Sequence, residues 1–316
     1  VRQVFALMLP RMAGVAVIYL NVLVGTALAS QIPYEGAVAA LSFGWRIQQV
    51  PATIIGLGIG GVLFPSLAAL AADGQLDRLR STFSWGLRAL ILLTVPAAAA
   101  LVLLGRHAIG VVLRGGNFGD ASTESVMAAL QFYAVGLVGY SALEIVARAL
   151  FAQRDTRTPF FVACGALVAN ALLGLALRAP LGHGGLALAQ SLAVSAEVLV
   201  LLAVLRRRMG GVDGRALAAT LARALAGAGA MALAIGATLR AVAPLTDGWP
   251  ERLALLAEVG LASLAGLAVY LAVTFVLGSA ELRALPGLVR RRGELAGAEL
   301  PATVAVAELP AEAPAD

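Results

Sequence analysis

The sequence predicts an all-α integral membrane protein, a polytopic bundle of about eight transmembrane helices. The chain is 60% hydrophobic, with a mean hydropathy of +0.90 and only 13% charged residues, far from the mix of an ordinary soluble domain. Apolar segments recur along nearly its whole length. Each is close to the roughly 20 residues that a helix rising ~1.5 Å per residue needs to cross ~30 Å of hydrocarbon.

The first span, near 9–30, has Asn21 and Thr26 as its polar groups. The second stretch, 36–70, is too long for one straight crossing, and Pro51 followed by Gly56, Gly58, Gly60 and Gly61 predicts a bend or break near its middle. The third and fourth spans lie near 84–104 and 124–150, with Glu144 and Arg148 spaced for an i, i+4 ion pair toward the end of the fourth. The fifth, 159–178, opens on Asp155-Thr-Arg-Thr-Pro159, which places Thr158 as N-cap and Pro159 at the first helical position. It contains Asn170. The sixth, 184–205, contains Glu197, and the seventh and eighth run 217–242 and 252–278, with Glu258 in the eighth. Glu197 and Glu258 can each be protonated, paired with an arginine or part of a gate. The stretch from Glu294 to Asp316, with five acids, three prolines and no arginine, reads as a disordered cytoplasmic tail or linker.

Charge placement fixes an expected orientation. Every basic residue is an arginine, and with alternating spans seventeen fall on one side and five on the other, leaving Arg46 inside. The positive-inside rule then puts both termini in the cytoplasm. No charged leader with a cleavage site precedes the first span, and the chain, beginning at Val1, reads as a fragment of a longer protein. The net charge of +5 is largely a topology signal, and no basic face on a soluble domain points to nucleic acid.

Motifs for bond chemistry are missing. Gly56-Leu-Gly-Ile-Gly-Gly61 matches a dinucleotide fingerprint by letter but lacks its strand and acidic residue. Within a span, Gly56 and Gly60 instead form a small-xxx-small face for close helix packing. Cys164 is the sole cysteine, and His107 and His183 fall in different outer loops, so neither a disulfide nor a metal site is expected. No cofactor is implied. With no nucleophile elbow, phosphate loop or zinc helix, the chain reads as a non-enzyme. Asn21, Thr26 and Asn170 alone do not make a sodium site, which wants several oxygen ligands.

Arg46 is the most informative residue. It sits mid-membrane in the second stretch, where burying a guanidinium costs ~2.5–3.5 kcal/mol unless it meets a wet cavity, a counter-ion or a substrate path. Ser42, Trp45, Arg46, Gln49 and Thr53 follow i, i+3, i+4 spacing, and this polar stripe suits the wall of a solvated cavity. The alternative is a structural arginine paired with a carboxylate on a neighbouring helix.

Leu9-Pro-Arg11, Trp45-Arg-Ile-Gln-Gln-Val-Pro51, Leu63-Phe-Pro-Ser-Leu67, Ala147-Arg-Ala-Leu-Phe-Ala-Gln-Arg-Asp-Thr-Arg-Thr-Pro159 and Gly182-His-Gly-Gly-Leu-Ala-Leu-Ala189 together resemble the MurJ/MviN family of lipid II flippases. The resemblance runs from the first span to about Leu277. It implies a place in a fourteen-helix transporter of the MOP (MATE-like) superfamily, built from two six-helix lobes and a final pair. Residues 1–210 would be the C-terminal lobe, 211–280 the final two helices with a groove for a polyprenyl tail, and 281–316 a cytoplasmic tail. The family's essential arginine in this lobe falls on Arg46. Family members often carry Asp before that arginine and Glu three residues after it, where this chain has Trp45 and Gln49. Arg46 is therefore less neutralised, which favours phosphate contact.

The function implied is movement of undecaprenyl-diphosphate-linked peptidoglycan precursor across the bacterial cytoplasmic membrane by alternating access. Arg46 would engage the diphosphate, Ser42, Trp45, Gln49 and Thr53 would line the cavity, and Glu144, Arg148 and Glu197 would serve in gating or ion pairing. Implied partners are lipid II or a related polyprenyl-diphosphate glycan, membrane lipids and cell-wall synthesis proteins. Rival readings are a flippase for another polyprenyl-linked glycan, a drug/cation antiporter, which predicts acidic residues in its cavity, and a non-transporting membrane scaffold.

Overall fold

The computed structural model describes residues 2–279 apart from 35, 114, 116, 117, 154 and 212, with backbone alone for 2–15, 62 and 251. The expected tail, and segment 281–316 as a whole, lie outside the described residues.

Seven α-helices account for most of the described chain: α1 (Arg2–Ala29), α2 (Ala37–Ala72), α3 (Leu76–Leu113), α4 (Asp120–Ala152), α5 (Arg157–Arg208), α6 (Gly214–Val242) and α7 (Glu251–Val276). The described residues form no strand beyond an isolated bridge between Gly115 and Phe118. Helices suit these segments because a backbone in hydrocarbon must satisfy its own donors and acceptors. Six of the seven are long and apolar enough to cross a membrane.

The 52-residue α5 is two spans. Gly182 interrupts it at φ 56°, ψ −137°, a conformation that is readily open only to glycine. The limbs fold back on each other: Arg208, at the far end, reaches Thr158 Oγ1 at 3.3 Å and Asp155 Oδ2 at 2.7 Å, near the start. Counting both limbs and α1, whose described side chains give an apolar stretch at Ala16–Ala29, yields the eight segments expected.

Of the bend or break expected in the second stretch, the break does not occur: α2 runs as one helix of 36 residues with Pro51 and Pro65 inside it. A lost backbone hydrogen bond at proline is tolerated in a membrane helix whose neighbours re-satisfy the freed groups. At about 54 Å, α2 exceeds the ~30 Å core, so it projects beyond the hydrocarbon or tilts.

The ends of the helices sort onto two faces. On one, Arg178 Nη1 donates to Gln31 Oε1 at 2.7 Å, the Tyr34 and His183 rings stack at 5.5 Å, and His183 Nε2 lies 2.9 Å from the Ser125 carbonyl. The α1–α2 turn, the start of α4 and the Gly182 hairpin therefore meet there. His107 and His183, expected in outer loops, lie within α3 and at the hairpin of α5. The Asp155–Arg208 contact marks the other face.

The main core joins α2, α3, α4, the second limb of α5 and α6 through Leu67, Phe83, Leu87, Leu90, Leu150 and Leu201. Lipid is as apolar as leucine, so packing complementarity holds these helices together, and small residues allow close approach. A Cβ on Gly136 would lie 2.7 Å from Ser191 Cβ, so α4 and the second limb touch almost backbone to backbone. α6 and α7 pack on each other and on α3, where the buried Tyr270 hydroxyl donates to the Leu92 carbonyl at 2.6 Å.

Candidate functional site

α2 divides into stripes by its helical period. Ala37, Ala40, Leu41, Gly44, Gln48, Ala52, Gly56, Gly60 and Leu63 are buried. Along this stripe Gly44 faces Ala129, Gly56 faces Glu144 and Gly60 faces the Arg148 guanidinium. The rising partner numbers show that α2 and α4 run in the same direction. Gly56 and Gly60 thus pack closely against α4 as their spacing predicts, and they leave room for the Glu144–Arg148 pair.

Arg46 lies two residues from Gly44, about 200° round a helix of ~3.6 residues per turn, and so points away from α4. It is exposed, as are Ser42, Gln49 and Thr53. Nine residues of helix beyond Ala37 place it about 14 Å in from that end of α2. Among the described residues it has no ion-pair or hydrogen-bond partner. The guanidinium is therefore available to an anion that meets this strip.

Beside the strip, a cavity of about 870 Å³ opens between α1, α2, α4 and both limbs of α5. Ser42 and Trp45 line it, whereas Arg46, Gln49 and Thr53 do not. Its wall runs from Leu28 and Leu186, near the Gly182 face, to Thr156 and Pro159 at the other end. Three aromatic rings cluster on it: Trp45 meets Tyr133 edge-on at 5.5 Å and Tyr140 at 4.9 Å. Asn170 Nδ2 donates to Asn21 Oδ1 at 2.6 Å across α1 and α5. Among the described residues, Glu144 and Glu197 are the charged residues of the lining, and no basic side chain belongs to it.

The two carboxylates differ. Glu144 is held by Arg148, whose Nε and Nη2 both donate to Oε1, the first at 2.9 Å. Glu197 has no ion-pair or hydrogen-bond partner among the described residues. Glu258 pairs with a histidine and not an arginine: its Oε2 lies 3.7 Å from His107 Nε2, and its Oε1 accepts from Thr246 at 3.3 Å. This happens in a separate recess of about 190 Å³ between α3, α4 and α7.

At the opposite end the Asp155 carboxylate, not Thr158, caps α5. Oδ1 accepts from the backbone N–H of Arg157 and Thr158, each at 3.0 Å. The helix begins at Arg157, two residues earlier than expected, so Pro159 sits third. Burial opposes the charge on Asp155, but the Thr158 hydrogen bonds and the Arg208 guanidinium outweigh it and hold the carboxyl below its ordinary range. Gln48 was equally invisible from sequence. It is fully buried and both its amide atoms lack a hydrogen-bond partner. Its spacing of four from Gly44 and Ala52 marks the buried stripe.

A family model described as "Lipid II flippase MurJ" matches residues 1–247. A lipid II flippase MurJ of Burkholderia cenocepacia is 32% identical over 209 residues, covering 66% of this chain and 40% of that relative. A probable lipid II flippase MurJ of Rhizobium meliloti is 31% identical over 302 residues, covering 95% and 56%. The chain thus spans about half the length of the curated relatives it matches. Among solved structures, a lipid II flippase MurJ in an inward closed conformation superposes with a TM-score of 0.68 at 22% identity, over 86% of this chain and 53% of that one. An outward-facing MATE transporter of the MOP superfamily gives 0.52 at 17% identity, over 86% and 63%. These two likenesses establish the fold.

Proposed function

This chain belongs to the lipid II flippase MurJ family, and from that premise we propose that it forms one lobe and the final helix pair of a transporter for polyprenyl-diphosphate-linked peptidoglycan precursor. The observation that carries this reading is Arg46, an exposed guanidinium without a described partner, about 14 Å from the nearer end of an apolar helix. A diphosphate is its natural counter-ion, because the planar fork donates two parallel hydrogen bonds to phosphate oxygens and strengthens as water is excluded. The lobe's own cavity is acid-lined, so the diphosphate meets Arg46 on the strip carrying Gln49 and Thr53, outside that cavity. A second lobe facing the strip completes the site, and rocking of one lobe against the other moves the substrate between leaflets.

Residues 1–210 are the lobe, and 211–280 supply an apolar surface for the polyprenyl tail. The arginine distribution puts both termini on the cytoplasmic side of a bacterial cytoplasmic membrane. Glu144 and Arg148, both on α4, act as a fixed ion pair on the face that packs against α2.

In the full-length protein, Arg46→Ala inserts normally and loses precursor binding. One charged hydrogen bond is worth ~1.5–3 kcal/mol, so affinity falls roughly 10- to 150-fold. Arg46→Lys recovers part of the loss, since an ammonium keeps the charge but not the fork. Equal affinity in wild type and Arg46→Ala, at matched folding and salt, removes Arg46 from the site.

A further inference from the structure

We propose that the cavity inside the lobe is a second binding site, selective for an organic cation of the ammonium class, with Glu197 as its counter-charge and the Trp45–Tyr133–Tyr140 cluster as its aromatic wall. The sign comes from the described lining, which holds two carboxylates and no basic residue. Arg148 already holds Glu144, so Glu197 is the lining carboxylate left without a described partner.

Depth adds to the argument. The second limb packs alongside α4 with Gly136 against Ser191 and Gly139 against Ser195, which brings Tyr140 and Glu197 to one level. Glu197 is nine residues, about 14 Å, from Arg206 and about 22 Å from Gly182. An ionised carboxylate this far from either end is costly unless it faces a ligand or a counter-ion, and an arriving cation favours the ionised form.

Size and wall chemistry choose the kind of cation. About 870 Å³ falls in the ~300–1,000 Å³ range of organic-ligand pockets and far exceeds what a bare ion needs. A hard metal ion would require several converging oxygen ligands, and the described residues contain no group of three His, Cys, Asp or Glu side chains able to hold one. Aromatic rings beside a carboxylate are the pairing that recognises ammonium groups, through ring quadrupole and charge together.

The cation has two possible sources, an amine on the peptide of the same precursor whose diphosphate meets Arg46, or a free organic cation. Only the first rests on the flippase reading.

The full-length protein in detergent is titrated calorimetrically with benzyltrimethylammonium and with neopentylbenzene, its uncharged carbon isostere. Wild type binds the ammonium and not the isostere. Glu197→Gln weakens binding at least ~10-fold, as expected for loss of a charged partner, while Glu197→Asp retains part of it and Glu258→Gln, in the separate recess, leaves it unchanged. Thermal unfolding of each variant establishes that it is folded. Equal binding by folded wild type and Glu197→Gln, equal binding of the isostere, or a Glu197-dependent heat from sodium with none from the ammonium each overturns the proposal. Precursor with its peptide amine free or acetylated then separates the sources. If acetylation weakens wild-type binding as much as Glu197→Gln does, and adds nothing in that variant, the amine is the substrate's. If it changes nothing while the probe still requires Glu197, the ligand is a free cation.

Discussion

Asp155 ties together the two ends of α5 through one carboxylate: the first turn and, through Arg208, the last turn some fifty residues on. Its folded pKa is depressed, so its contribution to stability is present above the unfolded value of about 3.9 and is lost as pH falls through the folded value. Asp155→Asn keeps a capping oxygen but loses the charge that faces Arg208 and the helix N-terminus, so it should lower thermal stability at neutral pH by ~0.3–1 kcal/mol, and the gap should close as pH drops below that range. A gap that persists in acid would mean that the charge does not matter. The sequence marked Asp-Thr-Arg-Thr-Pro as a helix start but favoured Thr158, because the Ser/Thr-Pro pattern is a local rule whereas the Asp155 cap is secured by a partner distant in sequence. Arg46 was legible because charge and helical period are both local. That Glu197 lacks a partner, and that Gln48 is buried without one, depends on which neighbours face them, and no spacing encodes that.

Glycine is decisive for α5 as an element. Gly182 holds the hairpin at a positive φ, and a Cβ on Gly185 would lie 2.2 Å from the Leu177 carbonyl oxygen. Gly182→Ala should destabilise the lobe by ~1–3 kcal/mol, the usual cost of forcing a non-glycine residue into such a region, read as a lower melting temperature in detergent. An unchanged melting temperature would mean that the hairpin relaxes freely. Spans were readable from the sequence because hydropathy and length suffice. The expected break in α2 was not found, because proline at membrane depth signals a broken helix only where surrounding helices fail to re-satisfy the backbone, and on α2 the residues around Pro51 pack against α4. The direction of helix packing was likewise hidden until Gly44, Gly56 and Gly60 met Ala129, Glu144 and Arg148 in order.

For the whole molecule, the described helix ends separate onto two faces, and the orientation proposed from the arginine distribution puts the Asp155–Arg208 face in the cytoplasm. Single cysteines at Gln153 and His183, on a Cys164→Ala background in intact cells, should react with an impermeant thiol reagent at His183 and not at Gln153. The reverse pattern would invert the orientation. Family membership could be read from motifs scattered over five segments, whereas the division of labour between an exposed arginine strip and an acid-lined cavity could not, since adjacent residues Trp45 and Arg46 belong to different surfaces. On the function proposed above, this lobe works against a second one to carry a lipid-linked diphosphate held by Arg46. Translocation of lipid II in reconstituted vesicles tests it most directly. The full-length protein should flip the lipid, the chain alone should not, and folded full-length Arg46→Ala should be slowed at least ~10-fold, in line with the lost charged contact. Flipping by the chain alone, or an unimpaired Arg46→Ala protein, would contradict it.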